Sequence, residues 1–157
     1  MELMIRFGLW FAAVGIVAAG ARTIPAWHAA ELGHSQVAIW TAPQTLVYRD
    51  SGSFRAAWVQ LFPVAGLRPA MPAIDFGTWR VIIASVGTKP TGGYYLSLER
   101  GQVVRDSALL TVIVHTPPRN CGVTEELTQP AIAIATPIAP IPFRIAFHES
   151  AGRARCN

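Results

Sequence analysis

Trp79-Arg-Val-Ile-Ile-Ala-Ser-Val86 runs straight into Gly87-Thr-Lys-Pro-Thr-Gly-Gly-Tyr94-Tyr95. In the first half, Trp79, Val81 and Ile83 alternate with Arg80, Ile82 and Ala84, and both sets are mostly apolar. Side chains point to opposite faces along a strand, so a run apolar at both parities predicts a central strand covered on both sides. In the second half, Pro90 fixes its own φ and brings no amide donor. Gly92 and Gly93 allow φ above zero, which other residues avoid. The result is a long strand connection whose shape is written locally. It leaves through Tyr94, Leu96 and Leu98, which alternate with Tyr95, Ser97 and Glu99 as in a half-buried antiparallel strand.

Working outward, that strand continues through Val103-Val104, turns at Asp106-Ser107 and returns as Leu110, Val112 and Val114 against Thr111, Ile113 and His115. The pair predicts a hairpin. Residues 131–136 and 143–147 are the last strands, and the prolines between them suit turns and sheet edges. Upstream, residues 35–40 and 45–48 are short β-prone runs. Residues 49–62 predict the one helix of the domain. Asp50, Ser51 or Ser53 can cap it, and Phe54, Trp58, Leu61 and Phe62 share one face at helical spacing. Pro63 ends it, because the residue before proline is pushed out of the α region. Residues 64–74, with Pro69 and Pro72, read as a surface loop. The fold class that follows is α+β: a mainly antiparallel sheet with one packed helix.

The chain has 157 residues, 52% hydrophobic and 14% charged, with a net charge of +4. That length suits one domain with a real core and excludes a disordered chain. Lys89 is the only lysine, and the arginines are scattered without a basic helix face, so nucleic-acid binding is not expected. Residues 1–21 read as a signal peptide: Arg6, an uncharged apolar stretch over 7–19, then Ala19-Gly20-Ala21 before Arg22. The alternative is an uncleaved anchor, and the membrane enters only in that case. Cleavage removes Glu2 and Arg6 together and leaves the net charge at +4. Residues 22–34 read as a linker, 35–150 as a single domain and 151–157 as a tail. The protein is therefore expected outside the cytoplasm, periplasmic or extracellular. There Cys121 and Cys156 are candidates for one disulfide that ties the tail to the loop after Pro117-Pro118, although spacing alone does not show whether they pair.

The residues give little sign of bond-making chemistry. His28, His34, His115 and His148 have no metal partner at a recognisable spacing. Ser85, Ser97, Cys121, Asp75 and Asp106 supply triad residue types, yet no nucleophile elbow frames any of them. Glu125-Glu126 are adjacent, and on a strand they would face opposite ways. The glycine-rich connection lacks the phosphate-loop pattern and is followed by a strand rather than a helix. No catalytic residue, metal or cofactor is expected. The 87–95 connection itself supports two readings: a plain structural turn, or a preformed binding edge that loses little entropy on association. Tyrosines of the kind that anchor interfaces flank it.

The ordered motifs Asp75-Phe76 with its apolar strand, Gly87-Thr-Lys-Pro-Thr-Gly-Gly-Tyr94, Pro118-Arg-Asn-Cys121-Gly-Val-Thr124 and Leu127-Thr-Gln-Pro130 resemble the PrcB C-terminal domain family. The resemblance runs over residues 75–147. It implies a small exported bacterial domain without a catalytic role, in a family named for an accessory subunit of a cell-surface protease complex. Unlike that lipid-anchored subunit, this chain has no acylatable cysteine after its signal. Lys89-Pro-Thr-Gly-Gly-Tyr94 is also similar to the Asn-Pro-Thr-Thr-Gly-Tyr loop of chagasin-like cysteine-protease inhibitors, whose other two inhibitory loops are absent here. The resemblance thus implies a protein partner, a protease among the candidates, met by Lys89, Pro90, Thr91, Gly92, Gly93 and Tyr94. The other expectations are a structural envelope domain and, behind it, a small hydrolase around His115 and His148.

Overall fold

The computed structural model describes residues 28–118, 122–139 and 141–151. The signal segment, the start of the linker, both cysteines and residues 152–157 lie outside them. Among the described residues, seven strands and one α-helix follow in the order β1 (Ala30–Ser35), β2 (Pro43–Tyr48), α1 (Ser51–Leu61), β3 (Trp79–Val86), β4 (Tyr95–Val104), β5 (Ser107–Thr116), β6 (Ala131–Pro137) and β7 (Phe143–Ala151). One sheet has the order β1-β6-β3-β2, and a second has the order β4-β5-β7. Helix α1 packs on one face of the first sheet, and the second sheet packs on the other.

β3 is the strand that both layers use. Val81 and Ile83 point into the helix-side core with Phe54, Trp58 and Leu61, whereas Ile82 and Ala84 point into the inter-sheet core with Leu96, Leu110 and Val112. β6 pairs with it antiparallel, Ile82 opposite Ile134 and Ile83 opposite Ala133. Its Ala-Ile-Ala-Ile-Ala run divides by size. Ala131 and Ala133 make room for the ring edges of α1, and Ile132 and Ile134 fill the space between the sheets. Close-packed interiors require such matching of large and small side chains across a layer.

Helix α1 begins where the sequence places it. Asp50 is extended, and its carboxylate accepts from the Ser53 amide at 2.8 Å and from the Ser53 hydroxyl at 2.7 Å. These bonds satisfy amides that the first turn leaves free. The Phe62 amide closes the helix onto Trp58 O at 3.0 Å, and Pro63 follows. The loop beyond, with a 3-10 turn at Ala65–Leu67, is held by Trp58 Nε1 donating to Pro69 O at 3.0 Å.

Two elements differ from expectation. Residues 30–34, read as linker, belong to β1, an edge strand paired with β6 through a bulge between Glu31 and Gly33. Its polar, glycine-interrupted sequence carries no alternation, and backbone bonding to β6 makes the strand. Residues 36–40 keep their alternation, with Ala38 and Trp40 buried and Val37 and Ile39 exposed, but form only an isolated bridge from Val37 to Gln129. The β4–β5 hairpin forms as read, with Arg105 at φ 58° in its turn. β7 runs parallel to β5, so the second sheet is mixed. The chain has crossed from the first sheet after β6 and comes alongside β5 in the same direction.

Candidate functional site

The connection from β3 to β4 is gripped by three separate segments. On its first side, the Thr88 amide and hydroxyl both donate to Thr41 O, at 3.0 and 3.2 Å. Gly87, buried at φ 72°, sits so close to Pro43 and Thr41 O that a Cβ there would lie 2.8–3.0 Å from them. At its centre, Lys89 and Thr128 exchange backbone bonds: the Lys89 amide donates to Thr128 O at 2.7 Å, and the Thr128 amide donates to Lys89 O at 3.0 Å. The Thr128 hydroxyl, itself buried, donates to Thr91 O at 2.8 Å. On the far side, the Gly92 amide donates to Thr124 O at 2.9 Å.

The last two glycines are required for different reasons. Gly92 is buried against Thr124, whose hydroxyl occupies the place a Cβ would take. Gly93 is exposed but has φ 82°, and a Cβ there would lie 3.0 Å from Pro117. Of the six residues that sequence reading assigns to the loop, Gly92 is therefore turned into the protein. Pro90 and Gly93 are exposed, Lys89, Thr91 and Tyr94 are half-buried, and Thr88 is exposed beside them. The Lys89 ammonium stands 5.8 Å from the centre of the Tyr94 ring, within cation–π range. A crest of Thr88, Pro90 and Gly93 thus rises from a base fixed by backbone hydrogen bonds.

Sequence reading of the loop missed Thr41, Thr124 and Thr128, the residues that hold it. The only signal for the last two was their place in the Cys-Gly-Val-Thr124 and Leu-Thr128-Gln-Pro steps. Thr41 had none.

A second cluster lies where β1 passes the edge of β4. Ser97 Oγ is 2.7 Å from His115 Nε2, and the His115 ring stacks on Tyr95 at 4.1 Å and 7°. Tyr95 in turn meets His34 at 5.8 Å, and His34 Nδ1 lies 2.8 Å from Glu31 Oε1. Burial pushes the pKa of His115 down, the neighbouring His34 adds to this, and Glu31 opposes it. A nucleophilic triad needs its carboxylate on the histidine that touches the serine. Here Glu31 is engaged by His34 and by the Leu98 amide at 2.9 Å, so the acid orients the other ring and caps the β4 edge. His148 is exposed on β7, in the same register row as Ser97 but on the far side of Ile113, two strand spacings or about 10 Å away.

No curated protein and no solved structure matches the chain. A family model, PrcB C-terminal, matches residues 80–137. That span takes in nearly all of β3, the clamped connection, the β4–β5 hairpin and β6, and leaves out β1, β2, α1 and β7. Residues 80–137 are thus similar to the PrcB C-terminal family, and the match is confined to that segment.

Proposed function

We propose that this protein is an exported, non-catalytic binding module that associates with, or regulates, a cell-envelope protease through the crest of the β3–β4 connection. The observation that carries the reading is the combination of a braced base and a bare crest. Hydrogen bonds from residues 41, 124 and 128 set the shape of residues 88–92, while Thr88, Pro90 and Gly93 stay exposed. A loop ordered before it meets a partner loses less entropy on binding. The family match over residues 80–137 supports the same direction, since the family takes its name from a protease-complex subunit.

A second reading, a structural envelope domain whose connection only joins two strands, is favoured by the burial of Gly87 and Gly92. The two separate experimentally at the exposed crest. A photo-crosslinking residue at position 90, in cells of the native host, captures an envelope protease if the first reading holds. With the crosslinker kept at 90, Thr88→Arg abolishes the capture with circular dichroism unchanged. Crosslinking at position 90 that yields no protease, or capture unchanged in Thr88→Arg, refutes the docking role.

A further inference from the structure

At the opposite end of β3 from the crest, about 20 Å along the strand at some 3.3 Å per residue, the two sheets part around a cavity of about 290 Å³. Its walls include Val47, Ile82, Ala108, Ile141 and Phe143, and its charged residues are Arg49 and Arg80. Strand register explains why these residues meet. Val47 lies opposite Ile82, and Arg80 lies opposite Thr136. The alternation that sends Ile82 and Ala84 into the inter-sheet core therefore sends Arg80, Thr136 and Arg49 to its open end.

We propose that this cavity binds a small amphiphile with one anionic head, of the medium-chain carboxylate class. The head would lie between Arg49 and Arg80, and the alkyl tail would lie against Ile82, Ala108 and Phe143. Arg80 is half-buried and already fixed, one terminal nitrogen donating to Phe76 O at 2.6 Å and Trp79 O at 2.9 Å. Neither arginine forms an ion pair among the described residues. Thr136 is only 5% exposed and lines the same mouth. Two guanidiniums and a hydroxyl at the mouth of an apolar space match a carboxylate with an apolar tail, because guanidinium forks recognise such planar anions in pairs of bonds. The volume sits at the lower end of the roughly 300–1,000 Å³ usual for small-molecule pockets, which suits a single short chain rather than a phospholipid.

Calorimetric titration of the purified chain tests this with decanoate, decanol and decyltrimethylammonium, each below its micelle concentration. Decanoate is expected to bind saturably, one per chain, with decanol at least about tenfold weaker, the scale of losing charge-assisted bonds. Arg49→Gln, at an exposed position, weakens decanoate by about tenfold with unchanged circular dichroism, and Ala139→Trp, at a half-buried one, closes the space and abolishes binding. In the unsubstituted protein, decanoate shifts the methyl resonances of Ala108 and Ile141, a readout that no variant needs to fold to provide. Equal affinity for decanol, unchanged binding in Arg49→Gln, shifts elsewhere only, or no saturable decanoate binding each overturns the proposal.

Discussion

Lys89 and Thr128 face each other as a lone antiparallel pair, each amide donating to the other's carbonyl, at 2.7 and 3.0 Å. Neither residue belongs to a strand, yet the pair joins the connection after β3 to the segment that enters β6. The Thr128 hydroxyl extends the clasp to Thr91 O.

Thr128→Val keeps the side-chain shape and both backbone bonds but takes the donor from Thr91 O. A lost hydrogen bond at a buried site costs about 1–2 kcal/mol. The expected result is a Tm drop together with faster amide exchange at residues 89 and 92, read by hydrogen–deuterium exchange. Unchanged exchange there would mean that the hydroxyl does not brace the loop.

Gly92→Ala collides with the Thr124 hydroxyl and is expected to cost about 1–3 kcal/mol, the range for overpacking. Thr124→Ala removes the obstructing atom and leaves the backbone oxygen that accepts from residue 92. The double variant should recover most of the loss, a coupling of about 1 kcal/mol or more by denaturant melts. Gly87→Ala has no such rescue, because it meets Pro43 and a backbone carbonyl at φ 72°.

Ala133, beside Ile83 in the sheet, faces the rings of α1. Ala133→Leu should push the helix outward at a cost of about 1–3 kcal/mol. Ile134→Val, on the opposite face, trims the inter-sheet core and should cost about 0.5–1.5 kcal/mol. Chemical denaturation with near-ultraviolet circular dichroism distinguishes them, since only the first disturbs Trp58.

His115 carries a pH dependence whose direction is fixed by its surroundings. Its pKa is lowered below the ordinary 6.5, so the unfolded chain takes up a proton at a higher pH than the folded one. The stability contribution is fully present above pH 6.5 and is lost as pH falls from there through the folded-state pKa. His115→Gln should flatten the profile over that window. Asp50, whose pKa the Ser53 bonds lower from 3.8, acts in the same sense but only in stronger acid. A profile unaltered by His115→Gln would show that the loss below pH 6.5 arises elsewhere.

β3, α1 and the hairpin were legible in the sequence because each is decided by local physics: apolar residues at both parities, a capped 3.6-residue stripe, and two alternating runs. β1 was not, because Ala30, Glu31, Gly33 and His34 have no periodicity and become a strand only through β6. The loop's rigidity was half legible. Proline and glycine announced a shaped turn, but Thr128 meets Thr91 from 37 residues away. The parallel docking of β7 depends on which sheet the chain has just left, which alternation does not encode. Arg80 read as a polar member of a strand, and only the parting of the sheets turns it toward a cavity.

The family match stops short of what the central strand needs. Residues 80–137 supply both sides of the inter-sheet core but only the floor beneath Phe54, Trp58 and Leu61. Excised by itself, that segment would present Val81, Ile83 and two alanines to water as a bare greasy plane, and self-association should follow. The unmatched amino-terminal half, through α1, therefore acts as a lid on this chassis, and any relative with a different leading portion must find another way to roof the same floor.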